Sequence, residues 1–475
     1  MGATRDLISN LPDAILHYIL SLLPIKSSIQ TSVLSSTWRY HWTSIPHLDF
    51  DREFWISTPT LDFDDELESG IGRVKFVSIV DQILALHAGT KLQRFRIFFH
   101  PGLNYSSITE KWIHFATRNE VEELNLNFHM YGGKPFALPQ FVFDCKSVSV
   151  LKLTSCIISS FVTFKNLRLL KTLYLRMVNL TIELIDSLLS NCLILESLDM
   201  IQCSQPIHLK ISSMNLKLKS LVVIMNYEAN LKLFEIDGLS LVSFKYCGEF
   251  VDISFKDSSS LVDVMIDYNG PLPLQVPPFD TIKPLLGLSH IKTLTLSSEY
   301  LEYIHAEDGA LQRSFVLFPN LKQMYIVSTF MTRDNLPCFI SFSQNCPLLE
   351  ELYIDHLDSQ DEDEDVPLYE EEYEMMKNQL ADFKFCHLKT VKIEYFMGIE
   401  YELWWMKFLL EKAVVLESLI LIYPSKYKEG TLEYMEKLLW FYEQLLSMEM
   451  AYSRAKVIVS SCSDDCNGLS PLHAV

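Results

Sequence analysis

The sequence predicts an α/β protein in which a short helical segment precedes a long solenoid of repeated strands and a C-terminal α/β cap. Three observations predict this class. An apolar pattern recurs along most of the chain, the first fifty residues show helical apolar spacing instead, and hydrophobic residues make up 49% of the total. The 475 residues exceed one ordinary domain, so we expect a repeat array with appended segments.

The recurring pattern has the form L-x-x-L-x-L, with apolar residues at its first, fourth and sixth positions. Thirteen copies occur: Leu92/Phe95/Ile97, Val121/Leu124/Leu126, Val148/Leu151/Leu153, Leu170/Leu173/Leu175, Leu195/Leu198/Met200, Leu218/Leu221/Val223, Leu241/Phe244/Tyr246, Leu261/Val264/Ile266, Ile291/Leu294/Leu296, Leu321/Met324/Ile326, Leu349/Leu352/Ile354, Leu388/Val391/Ile393 and Leu416/Leu419/Leu421. Successive copies begin 20 to 30 residues apart, except for one gap of 39 before Leu388. This period indicates leucine-rich repeats.

Each repeat is expected to contribute one short strand. The last two apolar residues of a copy share one face of a strand, because strand side chains alternate. A single unit cannot bury that face, so neighbouring units stack and their strands form a parallel sheet. We therefore expect strands on the concave face of the solenoid and helices or loops on the convex face. A linker and first solenoid segment would occupy 51–90, and the repeats 91–380.

The residue between those two apolar positions is predicted to face the open side of the sheet. It is a tyrosine in three repeats, Tyr174, Tyr325 and Tyr353. Large exposed aromatic side chains often anchor protein interfaces. These three residues are therefore the candidate substrate-binding residues, and a plain solvated face is the alternative.

The first fifty residues predict two short amphipathic helices. Apolar residues at helical spacing define the first, which Pro24 ends: Ile15, Leu16, Ile19, Leu20 and Leu23. Steps of four residues define the second: Ile25, Ile29 and Val33, then Leu34, Trp38 and Trp42. Two such helices cannot easily close a core alone, so apolar surface should remain for a partner.

Residues 6–50 resemble an F-box of the plant F-box/leucine-rich-repeat type. The similarity is carried by Asp6–Leu16, Ile19–Pro24, Thr31–Ser35 and the tryptophans Trp38 and Trp42, although Ser36 and Thr37 stand where the family usually has basic residues. The resemblance implies binding to a Skp-type adaptor and, through it, to a cullin–RING ligase. The implied adaptor-binding residues are Leu11, Pro12, Ile15, Leu16, Ile19, Leu20, Leu23, Pro24, Val33, Leu34 and Trp38. A helical cap on the solenoid is the alternative.

The C-terminal part resembles the FBD module that accompanies such F-box proteins. The similarity is carried by His387–Ile393, Phe408–Ala413, Leu416–Leu419 and the closing strand Ala455–Ser460. We place an FBD-like module with the last repeats at 381–460 and a disordered tail at 461–475.

Charge argues against a nucleic-acid partner. The chain has 40 Lys and Arg against 60 Asp and Glu, a net charge of −20, whereas phosphate recognition needs a basic surface. Ten acidic residues lie between Asp358 and Glu374. We interpret 358–374 as an exposed loop inserted between repeats. The segment has carboxylates at calcium-loop spacing, but Val366 replaces the glycine that such a loop requires.

The residue patterns predict no catalytic residues, no metal site and no cofactor. The chain lacks nucleophile-elbow, zincin and phosphate-loop motifs. Most of the ten cysteines lie in apolar runs and are expected to be buried thiols. Neither a secretory signal nor a membrane-spanning stretch is recognised, so a cytoplasmic or nuclear location is expected.

Two functions follow as hypotheses. The first is the substrate-recognition subunit of a Skp/cullin/F-box ubiquitin ligase, in which the F-box docks to the adaptor and the repeats bind an unidentified target protein for ubiquitination. The second is a ligase-independent scaffold in which the F-box merely caps the solenoid. An enzyme would require a pocket hidden among the repeats.

Overall fold

The computed structural model describes residues 8, 11–36, 38–56, 70–102, 104–128, 135–204, 206–212, 217–225, 231–238, 240–268, 282–306, 317–328, 335–356, 382–424, 435, 439–440, 443–444 and 455–461. Its α-helices are α1 (Asp13–Ser21), α2 (Ile25–Gln30), α3 (Arg52–Ile56), α4 (Gly70–Leu86), α5 (Ser106–Arg118), α6 (Ile182–Asn191), α7 (Ser298–Ala306), α8 (Asn335–Ser343) and α9 (Glu400–Lys412). Short 3-10 helices span Thr31–Val33, Trp38–Ser44, Gln140–Asp144 and Lys283–Leu285.

The strands are short and follow one another at the repeat period. They are β1 (His47–Phe50), β2 (Arg94–Phe98), β3 (Glu123–Asn127), β4 (Phe136–Ala137), β5 (Val150–Thr154), β6 (Cys156–Ile157), β7 (Thr172–Arg176), β8 (Ser197–Ile201), β9 (His208–Ser212), β10 (Ser220–Ile224), β11 (Leu233–Asp237), β12 (Ser243–Gly248), β13 (Asp252–Asp257), β14 (Asp263–Tyr268), β15 (Thr293–Ser297), β16 (Gln323–Ser328), β17 (Glu351–His356), β18 (Thr390–Glu394), β19 (Ser418–Tyr423) and β20 (Lys456–Ser461).

The chain divides into two compact units, Met1–Val222 and Val223–Val475, with β10 at the division. In the first unit the sheet has the order β1-β2-β3-β5-β7-β8, and in the second β12-β14-β15-β16-β17-β18-β19-β20. Neighbouring strands are parallel and pair without a register shift at equivalent repeat positions, as Leu173 with Leu198 and Leu352 with Val391. The predicted α/β class with a large parallel sheet is confirmed.

The thirteen apolar triplets form the core of the repeats. Every one of their 39 side chains is buried, and none is more than 3% exposed. Side chains alternate along the strands as predicted. In β2, β3 and β7, only every second side chain is buried. Burial of the triplets accounts for the regular spacing, since each strand hides its apolar face only when the next repeat is in place.

The covering layer differs from one repeat to another. α6 lies over the inward side chains of β7 and β8, and a cavity of about 10 Å³ is lined by Leu184 and Leu188 of the helix and by Leu175 and Leu198 of the strands. Between β8 and β14, the segments that follow the sheet strands contain strands themselves. β11 and β13 pair in parallel. In β9, buried side chains alternate with more exposed ones.

Sequence analysis missed these covering strands, for a reason visible in the residues. Phe234 and Ile236 lie two positions apart and are buried, as are Leu209 and Ile211. Alternation with a period of two indicates a strand, not a helix. The signal was present, but it was short beside the stronger L-x-x-L-x-L pattern.

The sheet begins within residues 6–50, the segment that resembles an F-box. Ile45, Leu48 and Phe50 repeat the apolar pattern of the later strands and are buried. β1 pairs in parallel with β2, with Leu48 opposite Phe95 and Phe50 opposite Ile97. The sheet therefore starts about one repeat earlier than the first copy found in the sequence.

The part predicted as a linker and first solenoid segment contributes an aromatic core. The rings of Trp55 and Phe76 stack with centroids 4.3 Å apart, and Phe76 also stacks on Phe99 at 5.1 Å. Trp55 donates a hydrogen bond from Nε1 to the carbonyl oxygen of Phe98, and Trp112 donates one to Asp81 Oδ1. Residues 51–56 and 72–86 therefore belong to the folded first unit.

The acidic segment 358–374 lies outside the described residues. The strands on either side of it, β17 and β18, pair directly, with Glu351 opposite Thr390 and Ile354 opposite Ile393. The wide gap in the repeat period therefore leaves the register of the sheet unchanged.

Candidate protein-binding surfaces

The N-terminal segment has a small core of its own. Leu16 and Leu20 of α1 are fully buried, and Trp38 is 5% exposed. Ser28 of α2 is buried and donates a hydrogen bond from Oγ to the carbonyl oxygen of Leu20, at 2.9 Å. Of the residues predicted to bind an adaptor, Leu16, Leu20 and Trp38 are thus assigned by the structure to the core of the segment.

The second predicted helix is interrupted. Instead of one helix through Trp42, the chain forms α2, a 3-10 turn at Thr31–Val33 and a second 3-10 helix at Trp38–Ser44. The side chain of Ser35 accepts a hydrogen bond from the backbone N–H of Trp38 at 3.4 Å. Serine competes with helical hydrogen bonds in this way, which explains the break.

The other predicted adaptor-binding residues are accessible. Pro12, Ile15, Leu23, Pro24, Val33 and Leu34 are exposed, and Leu11 and Ile19 are partly exposed. Val33 is 85% exposed and Leu34 67%. Leu22, also 67% exposed, was missed by sequence analysis because it lies outside the helical face that was predicted. Such a concentration of exposed apolar side chains is typical of an interaction surface.

Hydrogen bonds fix the N-terminal segment to the start of the sheet. The His47 ring lies between the Ser21 carbonyl oxygen, 3.2 Å from Nδ1, and Gln93 Oε1, 2.9 Å from Nε2. His87 donates from Nε2 to the carbonyl oxygen of Ile45 at 3.0 Å. Burial lowers the pKa of His87, and the hydrogen bond to Ile45 acts in the opposite direction. These hydrogen bonds therefore hold the N-terminal segment, with its exposed apolar residues, in place against the start of the sheet.

The second candidate surface is the open face of the sheet, on the side opposite the buried triplets. In the first unit, its central row runs in register from Asp49 through Arg96, Asn125, Lys152 and Tyr174 to Asp199. In the second unit, the row runs from Lys245 through Met265, Thr295, Tyr325, Tyr353 and Lys392 to Ile420. The three predicted substrate-binding tyrosines all lie in these rows and are partly exposed.

The structure brings two of the three tyrosines together. Tyr325 and Tyr353 occupy neighbouring strands, and their rings stack with centroids 4.5 Å apart and planes inclined by 9°. Tyr174 lies in the first unit, where Lys152 and Asp199 are its register partners. The order of the repeats in the sequence already puts Tyr325 and Tyr353 on neighbouring strands, and the structure adds that their rings stack.

Some members of the row are less accessible than the strand pattern predicts. Met265 and Thr295 are 2% and 1% exposed, and Lys392 is 6% exposed. Lys392 forms an ion pair with Glu394 at 2.5 Å, which compensates for burial of its charge. The tyrosine pair is thus the largest accessible aromatic feature among the described residues of this row.

The described cysteines mostly have the character of core residues. Cys156, Cys192, Cys203 and Cys346 are buried, and desolvation raises the pKa of the Cys192 thiol to about 12 and that of Cys203 to about 11. A thiol of raised pKa is a poor nucleophile at neutral pH. Cys386 is exposed.

The described part of the chain shows neither a metal-binding cluster nor a membrane-spanning helix. It contains no cluster of three or more His, Cys, Asp or Glu side chains that could hold a metal ion. Among the helices described, none is long and apolar enough to cross a membrane. The tail with Cys462 and Cys466 and the calcium-like spacing of the acidic segment both lie outside the described residues.

Comparison with protein families matches two parts of the chain to known domain types. Residues 8–49 match the F-box domain, and residues 83–437 match the leucine-rich-repeat domain of the At1g61320/AtMIF1 type. The repeat match extends well into the part predicted as an FBD-like module. In the structure, β18 and β19 of that part continue the sheet in register.

Curated proteins of Arabidopsis thaliana show the same combination of domains in their names. The chain is 27% identical over 445 residues to the F-box/FBD/LRR-repeat protein At1g13570, covering 92% of this chain and 96% of that protein. It is 28% identical over 363 residues to the FBD-associated F-box protein At1g61320, covering 72% of each. With the F-box at its N-terminal end and repeats over most of its length, the chain belongs to the At1g61320/AtMIF1 family of leucine-rich-repeat F-box proteins.

Proposed function

We propose that this F-box protein is the substrate-recognition subunit of a Skp/cullin/F-box ubiquitin ligase. The F-box binds a Skp-type adaptor, and the leucine-rich repeats hold a target protein. The observation that carries this proposal is the exposure of apolar side chains on a segment that keeps its own core, with Val33 and Leu34 exposed while Leu16 and Leu20 are buried. Burying the exposed set against an adaptor would stabilise the complex through the hydrophobic effect.

The chain performs no chemistry in this mechanism. Binding of the target to the repeats places target lysines near the ubiquitin-charged enzyme held by the cullin–RING part of the ligase. This proximity raises the effective concentration of the lysines and so accelerates transfer. The activity requires two binding surfaces held by one protein, which agrees with an F-box tied to the first strand through His47.

The decisive experiment is co-precipitation of the full chain with a panel of Skp-type adaptors, using an established F-box protein as the positive control. We expect retention of at least one adaptor and, with it, of the cullin. If the control retains its adaptor and this chain retains none, the ligase proposal fails. The ligase-independent scaffold would then be the better account.

Substitution of the three tyrosines tests target binding separately from adaptor binding. Replacement of Tyr174, Tyr325 and Tyr353 by alanine should abolish capture of a proximity-labelled target while leaving adaptor binding and the circular dichroism melt unchanged. Capture that survives all three substitutions would place target recognition elsewhere, and residues 381–460 would be examined next.

A further inference from the structure

The two compact units differ strongly in charge. The first unit contains 21 Lys and Arg against 20 Asp and Glu, whereas the second contains 19 against 40. Within the first unit, residues 150–222 contain eight basic residues and four acidic ones. The net charge of −20 therefore comes from the second unit, and it leaves room for an anion-binding surface on the first.

At its N-terminal end, the open face of the first unit neutralises its own charges. Arg94 of β2 binds both carboxylate oxygens of Asp49 on β1, through Nε at 2.9 Å and Nη2 at 2.6 Å. Arg96 of β2 binds Glu123 on β3 at 2.8 Å. The arginines at this end of the sheet are therefore already engaged by carboxylates.

Further along the same face, two cations lack such partners. Lys152 of β5 is opposite Tyr174 of β7 in the register, and Arg176 follows Tyr174 by two positions on the same side of the strand. Among the described residues, neither Lys152 nor Arg176 forms an ion pair with a carboxylate. Arg176 is exposed, and Lys152 and Tyr174 are partly exposed. The strand spacing puts the two basic residues about 8 Å apart at Cα, so both long side chains can reach one ligand.

Tyr174 adds a third donor at this position. Arg176 donates a hydrogen bond to the phenolic oxygen of Tyr174, since a guanidinium has donors only. Burial raises the pKa of Tyr174, against the opposing charge and hydrogen bond of Arg176, so the hydroxyl keeps its proton at neutral pH. That proton remains available to an acceptor outside the sheet.

One carboxylate lies next to this group of donors. Asp199 of β8 is opposite Tyr174, on the side away from Lys152. It accepts a hydrogen bond from Ser197 Oγ at 3.2 Å. The two cations and Asp199 together leave one positive charge.

The edge at which these strands begin adds no negative charge. Glu196 pairs with Lys219 at 2.9 Å, and Glu122 pairs with Lys91 at 2.7 Å. Lys171 is exposed at the same edge and also acts on Glu196. Three lysines thus accompany two glutamates there, and the excess of positive charge around Tyr174 is not cancelled from this side.

We propose that the open face of the first unit recognises an acidic segment of the target protein. A carboxylate of the target accepts hydrogen bonds from Lys152 Nζ, the Tyr174 hydroxyl and Arg176. A single carboxylate neutralises the one positive charge that these residues and Asp199 leave. This inference rests on the proposed function only in that the repeats hold a target, and it adds the chemical class of the segment that is recognised.

The test uses a displayed library of random dodecapeptides panned against the full chain. Peptides that bind the wild type but not the double variant Lys152→Gln/Arg176→Gln are sequenced. The matched control is Lys165→Gln/Arg168→Gln, which removes the same charges from exposed residues outside the strands and should retain these peptides. We expect the selected peptides to be enriched in Asp or Glu. Replacement of the enriched acid by its amide should weaken binding about threefold to tenfold, as loss of one partly exposed ionic contact would.

Three further measurements make the result specific. Tyr174→Phe keeps the ring but removes the hydroxyl, so it should weaken the selected peptides about threefold. Asp199→Asn removes the neighbouring negative charge and should tighten their binding, which a merely structural role of Asp199 would not do. Binding should also weaken as salt is raised from about 0.05 to about 0.5 M, because the contact is partly exposed.

Several results would overturn the inference. They are selected peptides with no acidic preference or a basic one, or a library that yields no peptide dependent on Lys152 and Arg176. Replacement of the enriched acid by phosphoserine should leave affinity within about threefold, because the site lacks the charge to neutralise a dianion. Binding that becomes more than tenfold tighter would overturn the carboxylate as the group recognised.

These outcomes differ from failure of the proposed function. Peptides that depend on Lys152 and Arg176 but carry no acid would leave the recognition role of the repeats intact. Loss of adaptor binding would remove the ligase role whatever the peptides contain. The double variant itself should still co-precipitate the adaptor, since both substitutions lie outside the F-box.

Discussion

Lys322 and Glu350 occupy the same position in consecutive repeats, and their side chains form an ion pair of 2.7 Å. Lys389 holds that position in the next repeat and binds the other carboxylate oxygen of Glu350 at 2.9 Å. The backbone repeats the same connection, since the N–H of Glu350 donates to the carbonyl oxygen of Lys322 and that of Lys389 to Glu350. In these three repeats, the charged residue that follows the first leucine therefore links each repeat to the next.

This relationship predicts a pH-dependent contribution of Glu350 to stability. The hydrogen bonds from Lys322 and then Lys389 lower the pKa of Glu350 from 4.5 to about 2. A carboxylate whose pKa is lower in the folded state stabilises the fold above its unfolded pKa, and that stabilisation is lost as pH falls from about 4.5 to about 2. Glu350→Gln should lower the melting temperature slightly at pH 7, and the difference from the wild type should disappear near pH 2.

Thermal melts from pH 7 to pH 2 measure this difference. Glu417→Gln is the control variant, because Glu417 occupies the equivalent position one repeat after Lys389. A difference between wild type and Glu350→Gln that stays constant with pH would contradict the prediction.

The division of the F-box into core and surface predicts different effects for two of its leucines. Leu34→Glu adds a charge at an exposed position, so folding should change by less than about 0.5 kcal/mol while adaptor binding is lost. Leu16→Ala removes a fully buried side chain and should destabilise the segment by about 2–5 kcal/mol. Hydrogen exchange of residues 13–44 and adaptor co-precipitation distinguish the two.

An exposed leucine outside the F-box controls for the added charge. Leu193→Glu alters a residue of the repeats that is 48% exposed and should leave adaptor binding unchanged. Retention of the adaptor by both Leu34→Glu and Val33→Glu would show that the adaptor does not contact this part of the F-box.

Glu402 is predicted to determine how α9 begins. The side chain is 1% exposed and accepts hydrogen bonds from the backbone N–H groups of Met397, Gly398 and Ile399 at 3.0, 2.6 and 3.0 Å. Glu402→Ala would leave these donors without their acceptor and should cost about 2–4 kcal/mol. Glu402→Gln keeps one acceptor oxygen and should fall between Ala and the wild type.

Hydrogen exchange of residues 396–412 is the direct measurement, because the loss is local. Faster exchange there, with unchanged protection in β2 and β3, is the expected pattern. Equal protection in the wild type and the Ala variant would show that other contacts hold the start of the helix.

The acidic segment gives a prediction that comes from the sequence alone. Deletion of Ser359–Glu374 should change the melting temperature by no more than about 2 °C, because surface insertions cost little closure entropy. The direct pairing of β17 with β18 supports this expectation. A large loss of stability, or a melting temperature that rises with added calcium, would contradict it.

The sequence by itself determined the repeat architecture. Its thirteen triplets form thirteen strands of the parallel sheet, and all their apolar side chains are buried. Two apolar residues at a spacing of two share one face of a strand, and stacking of the repeats buries that face. It also determined the F-box type of the first fifty residues, which the family comparison confirms. These features depend on residues close together in the chain.

Only the tertiary structure decided which residues cooperate across repeats. Leu16 and Leu34 look alike in a helical pattern, yet one is buried and the other 67% exposed, because burial depends on what packs against each face. Tyr325 and Tyr353 lie in consecutive repeats, so the sequence predicts that their strands are neighbours, but the stacking of their rings depends on side-chain packing that the sequence pattern does not specify. Local spacing fixes the period of a solenoid, whereas contacts between distant residues arise only when its repeats are stacked.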